Sequence, residues 1–352
     1  MKATQDTTRT VRAVRTAGGL SFRVDVRALA VIALLLAAAA FAAVVLIGSG
    51  DFAMSPGQVV TTLFGNGTFQ QEFIVTELRL PRVLVGLLVG AALGIGGAVF
   101  QSVSRNPLGS PDVLGFGQGS AVGALVVIVL FHGDPTAVAA GAVGGGLLTG
   151  AAVYLLAWKR GVHGYRLVLV GIGAAAMLTA ATHFLITKAN LVDATRAVVW
   201  MTGSLDGRDW AQVWPLLGVC CVLIPVILAY GRPLRMIEMG DDAAHALGVR
   251  VERTRLVLLG CAVLLVAVAT AAAGPIVFVS LSAPQVARRL TRAPGPNLAA
   301  AAGTGAALLL VADWTAMNAF GDRQLPVGVV TGVLGGCYLL WLLVTERKAG
   351  RI

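Results

Sequence analysis

Apolar runs recur along the whole chain, at 28–48, 83–103, 137–157, 167–187, 212–230, 256–273, 297–317 and 326–344. Each holds about 18–21 residues, the length a helix needs to cross a hydrocarbon core of roughly 30 Å. Two weaker runs, near 112–131 and 276–290, are short or broken by polar residues. Together they predict an all-α polytopic membrane protein with about ten spanning helices, some of them broken or short. A basic tail over 1–27 precedes one membrane domain, 28–345, and a short tail follows at 346–352. The first apolar run is too long for the core of a cleavable signal peptide.

Composition excludes a soluble fold. The chain is 57% hydrophobic and 12% charged, against about 25% charged in soluble domains. The formal charge of +10 is distributed as a membrane protein distributes it, and does not call for nucleic acid. With Met1 in the cytoplasm, 21 of the 27 Lys and Arg fall inside and 6 outside, as the positive-inside rule requires. Both termini are then cytoplasmic. The 44 glycines let helices approach closely where lipid supplies no hydrophobic drive. Tight packing and a bundle that shears past itself both fit that pattern. Cys220, Cys221, Cys261 and Cys337 lie inside predicted spans without metal-ligand spacing, so they read as small core hydrophobes.

Between two apolar runs stands "RNPLGSPDVLGFGQGS", 105–120. Pro107 and Pro111 forbid a continuous helix, Asp112 is placed to cap one starting near Val113, and Gly115, Gly117 and Gly119 weaken its first turns. Non-helical backbone at membrane depth survives where protein or water satisfies it, so the segment reads as cavity-lining or as an ordinary tight turn. A second break, "AGPIVFVSLSAPQVARRL", ends one span at Gly274-Pro275 and opens a short helix. Paired interruptions of this kind point to a transport path.

Catalytic chemistry is absent from the motifs. No P-loop occurs among the four lysines, and the four histidines are scattered. "GSGD", ending at Asp51, matches half of an intramembrane aspartyl protease, but no Tyr-Asp accompanies it. Asp313 is the acid nearest a span's interior, and an intramembrane acid is a functional candidate; capping or packing fits equally.

The largest inner loop, "GRPLRMIEMGDDAAHALGVRVERTR", mixes five basic and four acidic residues. Gly240 splits it, Asp241 or Asp242 is placed to cap a short helix, and Gly248 to end it in a left-handed turn. Ala243, Ala244, Ala246 and Leu247 give that helix an apolar surface suited to a partner's groove; a solvated connector is the alternative. Outside, "LRLPRVLVG" sets Arg79 and Arg82 on one helix face, with Pro81 suited to a first turn. Both oppose the helix dipole and the positive-inside bias. Acidic residues of an external partner, or lipid phosphate, would compensate them.

The order "RLPR", "VGAALGIGGAVFQSVSRNPLGSPDVLG", "EMGDDAAHALGV", "AGPIVFVSLSAPQVARR" and "LPVGVVTGVLGG" closely resembles the FecCD family, the permeases of type II ABC importers for ferric siderophores, haem and vitamin B12. The resemblance implies that fold, a bacterial inner-membrane location, and no cofactor or metal in this chain. ATP and Mg would sit on two partner ATPase subunits. A second FecCD-type permease subunit, an external siderophore-binding lipoprotein and membrane lipid complete the implied partners. It also implies roles. Arg79 and Arg82 would dock the binding protein, with Arg323 standing near the place of a third docking arginine, where this chain has Met317. Coupling helices over 234–248 would meet the ATPase through Met236, Glu238, Met239, Gly240, Asp241, Asp242, Ala243, Ala244, Leu247 and Gly248. Asn106, Pro107 and Leu108, with Gly164 and Tyr165 and with Gln118 along the path, would form the cytoplasmic gate. Gln285 stands where the family commonly has histidine. A ferric siderophore, catecholate and enterobactin-like, is the favoured cargo. Haem or vitamin B12 in the same importer class, or an ion-coupled secondary transporter, are the alternatives.

Overall fold

A computed structural model describes residues 11–15, 21–159, 164–319 and 324–348. Two strands, β1 (Val11–Arg15) and β2 (Ser21–Asp25), pair antiparallel in the basic N-terminal segment, which departs from an all-α expectation; everything described after them is helical or loop. The helices follow in order: α1 (Val26–Gly48), α2 (Pro56–Leu63), α3 (Phe69–Phe73), α4 (Leu80–Ser104), α5 (Phe116–Leu130), α6 (Pro135–Ala157), α7 (Gly164–Lys188) and α8 (Leu191–Met201). After these come α9 (Trp210–Ala229), α10 (Gly231–Glu238), α11 (Asp241–Ala246), α12 (Val251–Ala273), α13 (Val279–Thr291), α14 (Leu298–Asn318) and α15 (Val327–Lys348).

Among the described residues seven helical stretches are long and apolar enough to cross a bilayer: α1, the rod Phe69–Ser104, α6, α7, α9, α12 and α14. The other three expected spans fall on α5, α13 and α15, but α5 has 15 residues and α13 has 13. At 1.5 Å per residue these reach only about 20 Å. The sequence shows why they are short. Gly115, at φ 84, sets the start of α5, and Gly274, at φ 75, ends α12 ahead of Pro275 and α13.

Helices apolar on every side are either buried in a bundle or lipid-facing, and both kinds occur. In the rod that contains α4, 78% of the apolar window is buried, and in α12 and α14 the share is 61%. α1 and α7 bury only 17% and turn side chains such as Leu34, Phe41 and Met177 outward. The inner helices approach closely at small residues. A Cβ at Gly94 would strike the Ala301 carbonyl of α14, and glycines meet again where Gly123 of α5 faces Gly141 of α6. Tight packing therefore accounts for the glycine content in these inner helices. The cysteines split: Cys220 is buried, whereas Cys221 and Cys337 are exposed, so those two are outward-facing rather than core.

Side-chain caps fix the starts of three helices. Asp25 caps α1 through the Arg27 and Ala28 amides, and Ser55–Gln58 and Asp209–Gln212 form capping boxes on α2 and α9. Asp112 does not cap α5, which starts later, behind Gly115; its Oδ2 instead accepts from Ser280 Oγ at 2.5 Å. Neither Asp241 nor Asp242 caps α11, whose N-cap is Gly240 at φ 119. Gly248, at φ 81, supplies the left-handed turn after it.

Candidate functional site

Helix α4 spans 25 residues, about 37 Å, and carries a cluster of charge at each end. At its start a π-helical turn, Ile74–Arg79, leads into Pro81 in the first α-turn. Arg79 is half-buried and its Nη1 donates to the Ile47 carbonyl at 2.6 Å. Arg82 forks onto Asp313 of α14: Nε donates to Oδ2 at 2.9 Å and Nη2 to Oδ1 at 2.8 Å. Its Nη1 donates to Asp206 Oδ1 at 3.2 Å. The Asp313 side chain is 1% exposed, that of Arg82 12% and that of Asp206 73%. Within this chain the charge of Arg82 is thus already met by Asp313 and Asp206, a compensation the sequence did not reveal. Asp313 is accounted for as the buried half of an ion pair.

An open cleft of ≈ 470 Å³ lies at this end, lined by Asp51, Glu77, Arg79, Arg82, Asp206 and Arg208 among others. Arg208 holds the Ser204 carbonyl through Nε at 3.1 Å. Burial lowers its guanidinium from the usual value, against the pull of Asp206 and Asp209. Sequence reading passed over Arg208. Its signal was the charged turn "LDGRDW", which brings a third guanidinium to the cleft. Met317 lines the cleft as well, and Arg323 lies outside the described residues.

At the other end of α4, Arg105 takes the left-handed C-cap conformation, φ 52, and the chain turns through Asn106, Pro107 and Leu108. Asn106 Oδ1 accepts from the Leu108 amide at 2.9 Å, a local Asx turn. The Pro107 carbonyl accepts from Gln285 Nε2 at 2.9 Å, and Gln285 Oε1 accepts from Tyr338 OH at 3.3 Å. Gln285 therefore uses both ends of its amide to tie the turn to α15. Gly164 packs on Ser104, where a Cβ would lie 2.7 Å from the carbonyl oxygen, and Tyr165 beside it is exposed. Gly164 thus packs against the last residue of α4, two positions before Asn106. Gln118 stands apart, on a cavity of ≈ 280 Å³ shared with Asp112, Met201 and Thr270.

Helices α10 and α11 lie against this same end. Leu234, Ile237 and Ala244 are buried, with Met236 packed against Ile237, Ala244 and Val251. Met239 and Leu247 project outward at 70% and 59% exposure, and Asp242 and Gly248 are exposed too. Of the expected partner-facing residues, Met236 and Ala244 thus face inward. Glu238 Oε1 meets Arg288 Nη2 at 3.3 Å, and that nitrogen also reaches Ser102 Oγ at 3.3 Å. Asp241 Oδ1 takes Arg255 Nη2 at 2.7 Å and lies 3.6 Å from Arg105 Nη2. Asp241 thereby connects α11 to the residue that opens the Asn106 turn. Among the described residues no group of three or more His, Cys, Asp or Glu is placed to hold a metal ion.

Known proteins place this architecture. The model of the FecCD transport family matches residues 22–345. The chain is 48% identical over 300 residues to the ferric enterobactin transport system permease protein FepG of Escherichia coli, covering 85% of this chain and 91% of that one. It is 38% identical to the iron(3+)-hydroxamate import system permease protein FhuG of Bacillus subtilis, covering 84% and 90%. It is 36% identical to the cobalamin import system permease protein BtuC of Halobacterium salinarum, covering 77% and 73%. Among solved structures, an inward-facing ABC transporter of metal-chelate type superimposes with a TM-score of 0.81 at 26% identity, over 90% of this chain and 99% of that one.

Proposed function

This chain belongs to the FecCD transport family, and from that membership we propose that it is the transmembrane permease subunit of an ATP-binding-cassette importer for a ferric siderophore of catecholate, enterobactin-like type. The observation that carries the reading is the 48% identity to FepG across 85% of the chain. The geometry supports it, because an arginine-lined cleft and an exposed helix pair sit at opposite ends of one α4 rod.

In this reading the ten apolar helices all cross the bacterial inner membrane, with both termini cytoplasmic, as the basic residues are distributed. A second FecCD-type permease completes a heterodimer. The binding lipoprotein meets the cleft of Arg79, Arg82 and Arg208, while two ATPase subunits, which hold ATP and Mg, grip α10 and α11. Movement of α11 is transmitted through Asp241 to Arg105, and movement of α10 through Glu238 to Arg288. Both arginines flank the Asn106–Leu108 turn, the proposed gate, with Gly164 and Tyr165 across from it. This chain carries no catalysis; it opens and closes. An ion-coupled reading would use Asp313 as a proton carrier, and the Arg82 fork speaks against that, because both carboxylate oxygens are already committed to a fixed cation. Haem or cobalamin as cargo is the second reading, motivated by the likeness to BtuC.

Reconstitution with the cognate ATPase and binding protein tests the proposal. Uptake of ferric enterobactin should need ATP and ignore an imposed proton gradient; uptake driven by the gradient alone would refute it. Two variants separate the ends. Leu247→Asp removes an exposed apolar contact of about 1.5–3 kcal/mol, so ATPase co-purification should fall at least about tenfold while docking of the binding protein is unchanged. Arg79→Glu should weaken that docking about fivefold or more at low salt, with the difference narrowing at high salt, and should leave ATPase assembly intact. Unaltered binding-protein affinity in Arg79→Glu would remove Arg79 from the interface.

A further inference from the structure

Arg82 is held by two carboxylates of opposite character. Asp313 is buried and takes the guanidinium by the fork of Nε and Nη2, in the bidentate geometry that fixes an arginine's orientation. Asp206 is 73% exposed and makes one contact, at 3.2 Å, with Nη1 on the outward edge. One negative charge already balances Arg82 in Asp313. The capping of α9 falls to Asp209. Asp206 sits in the turn between α8 and α9, between Gly203 at φ 68 and Gly207 at φ 65, with its own amide bonded to Ser204 Oγ at 3.0 Å. An exposed single pair of this kind contributes only about 0–1 kcal/mol to stability. Its carboxylate nevertheless covers the part of Arg82 that faces the cleft of ≈ 470 Å³.

We infer that Asp206 is a placeholder: in the free permease it occupies the outward edge of Arg82, and a carboxylate of the docking binding protein displaces it, while Asp313 keeps the guanidinium aimed throughout. The inference rests on the importer reading above. Its chemistry is an exchange of one exposed carboxylate for another on the same nitrogen. Docking then gains less from Arg82 than a bare arginine would give, which keeps the complex weak and releasable. Arg82 is never left without a partner in the water-poor space between α4 and α14, so the exchange carries no penalty for an unpaired buried charge.

The test measures binding of the purified cognate binding protein to the complete importer in nanodiscs, across a salt series. Asp206→Asn keeps the shape of the side chain and removes its charge. Affinity should rise about two- to fivefold, the range an exposed pair allows, and the salt dependence should steepen, because docking now adds an ion pair instead of exchanging one. Glu77→Gln is the control, since it removes the same charge from the wall of the same cleft. Unchanged or weaker binding by Asp206→Asn overturns the inference, and so does an equal gain from Glu77→Gln, which would mark a general charge effect. Failure of the unmodified importer to bind the protein at low salt refutes the importer reading itself, and the placeholder with it.

Discussion

Asp313→Ala is expected to remove most of the folded permease from the membrane. The substitution deletes both acceptors of the Arg82 fork and leaves a guanidinium that is 12% exposed without its buried partner. Breaking one side of a buried pair costs about 3–5 kcal/mol, a large part of the roughly 5–15 kcal/mol typical of total stability. Asp206 does not compensate, because its single contact is screened by water at 73% exposure. Membrane abundance and the melting temperature of the detergent-solubilised protein check the outcome. Replacing the whole pair, Arg82→Met with Asp313→Leu, should restore abundance, since a buried pair exchanged for apolar groups of similar volume is often neutral or stabilising. The double variant should still dock poorly. Full abundance of Asp313→Ala by itself would mean that the fork is not what holds α4 to α14 at this end. For the same reason a charge reversal of Arg82 is a poor docking probe, because the introduced carboxylate would face Asp313; Arg79 is the cleaner position.

Gly97→Ala is the second large effect. Gly97 lies in α4 where the first turn of α13 crosses it, and a Cβ there would lie 2.6 Å from the Ser280 carbonyl carbon and closer still to its oxygen. The obstacle is backbone, so no side-chain rotation relieves it and α13 must move away. Overpacking of this kind costs about 1–3 kcal/mol and sometimes more. The better helix propensity of alanine returns about 1 kcal/mol, so a net loss of up to roughly 2 kcal/mol remains. The displacement matters more than the energy. α13 carries Gln285, which holds the Pro107 carbonyl, and Arg288, which reaches Ser102 and Glu238. Uptake should therefore fall more than abundance does. Equal activity per folded molecule would show that the seating of α13 does not govern the Asn106–Leu108 turn.

Both effects depend on partners far apart in sequence, which marks the limit of what the chain's linear pattern conveys. The helical segments were legible because apolar runs of bilayer length and their Gly and Pro breaks are local properties: Gly274-Pro275, for example, ends α12. The breaks also explain why α5 and α13 fall short of a full crossing. Asp112 departs from the cap its position predicts for a physical reason. A short acid before an apolar run satisfies the local rule, but Ser280, 168 positions away, offers its carboxylate a partly buried hydrogen bond instead. Asp241 leaves its expected cap in the same way, drawn to Arg255 and Arg105. The role of Gln285 was invisible until the structure brought Pro107 and Tyr338 to either side of its amide.

The linear pattern sufficed for a chain of membrane-spanning helices, the uneven placement of its basic residues, the positions of its broken segments and, through long ordered motifs, its kinship. Each of these follows from residues close together along the chain, where helical period, proline sterics and hydropathy act. Which charges pair was settled by packing in three dimensions. Arg82 and Asp313 are separated by 231 positions, and no periodicity relates them; the crossing of α4 and α14 does. Because the Asp313 side chain is 1% exposed, that pairing turns two residues read from the sequence as a docking arginine and a candidate intramembrane acid into one buried bridge, leaving the outward edge of Arg82 to Asp206.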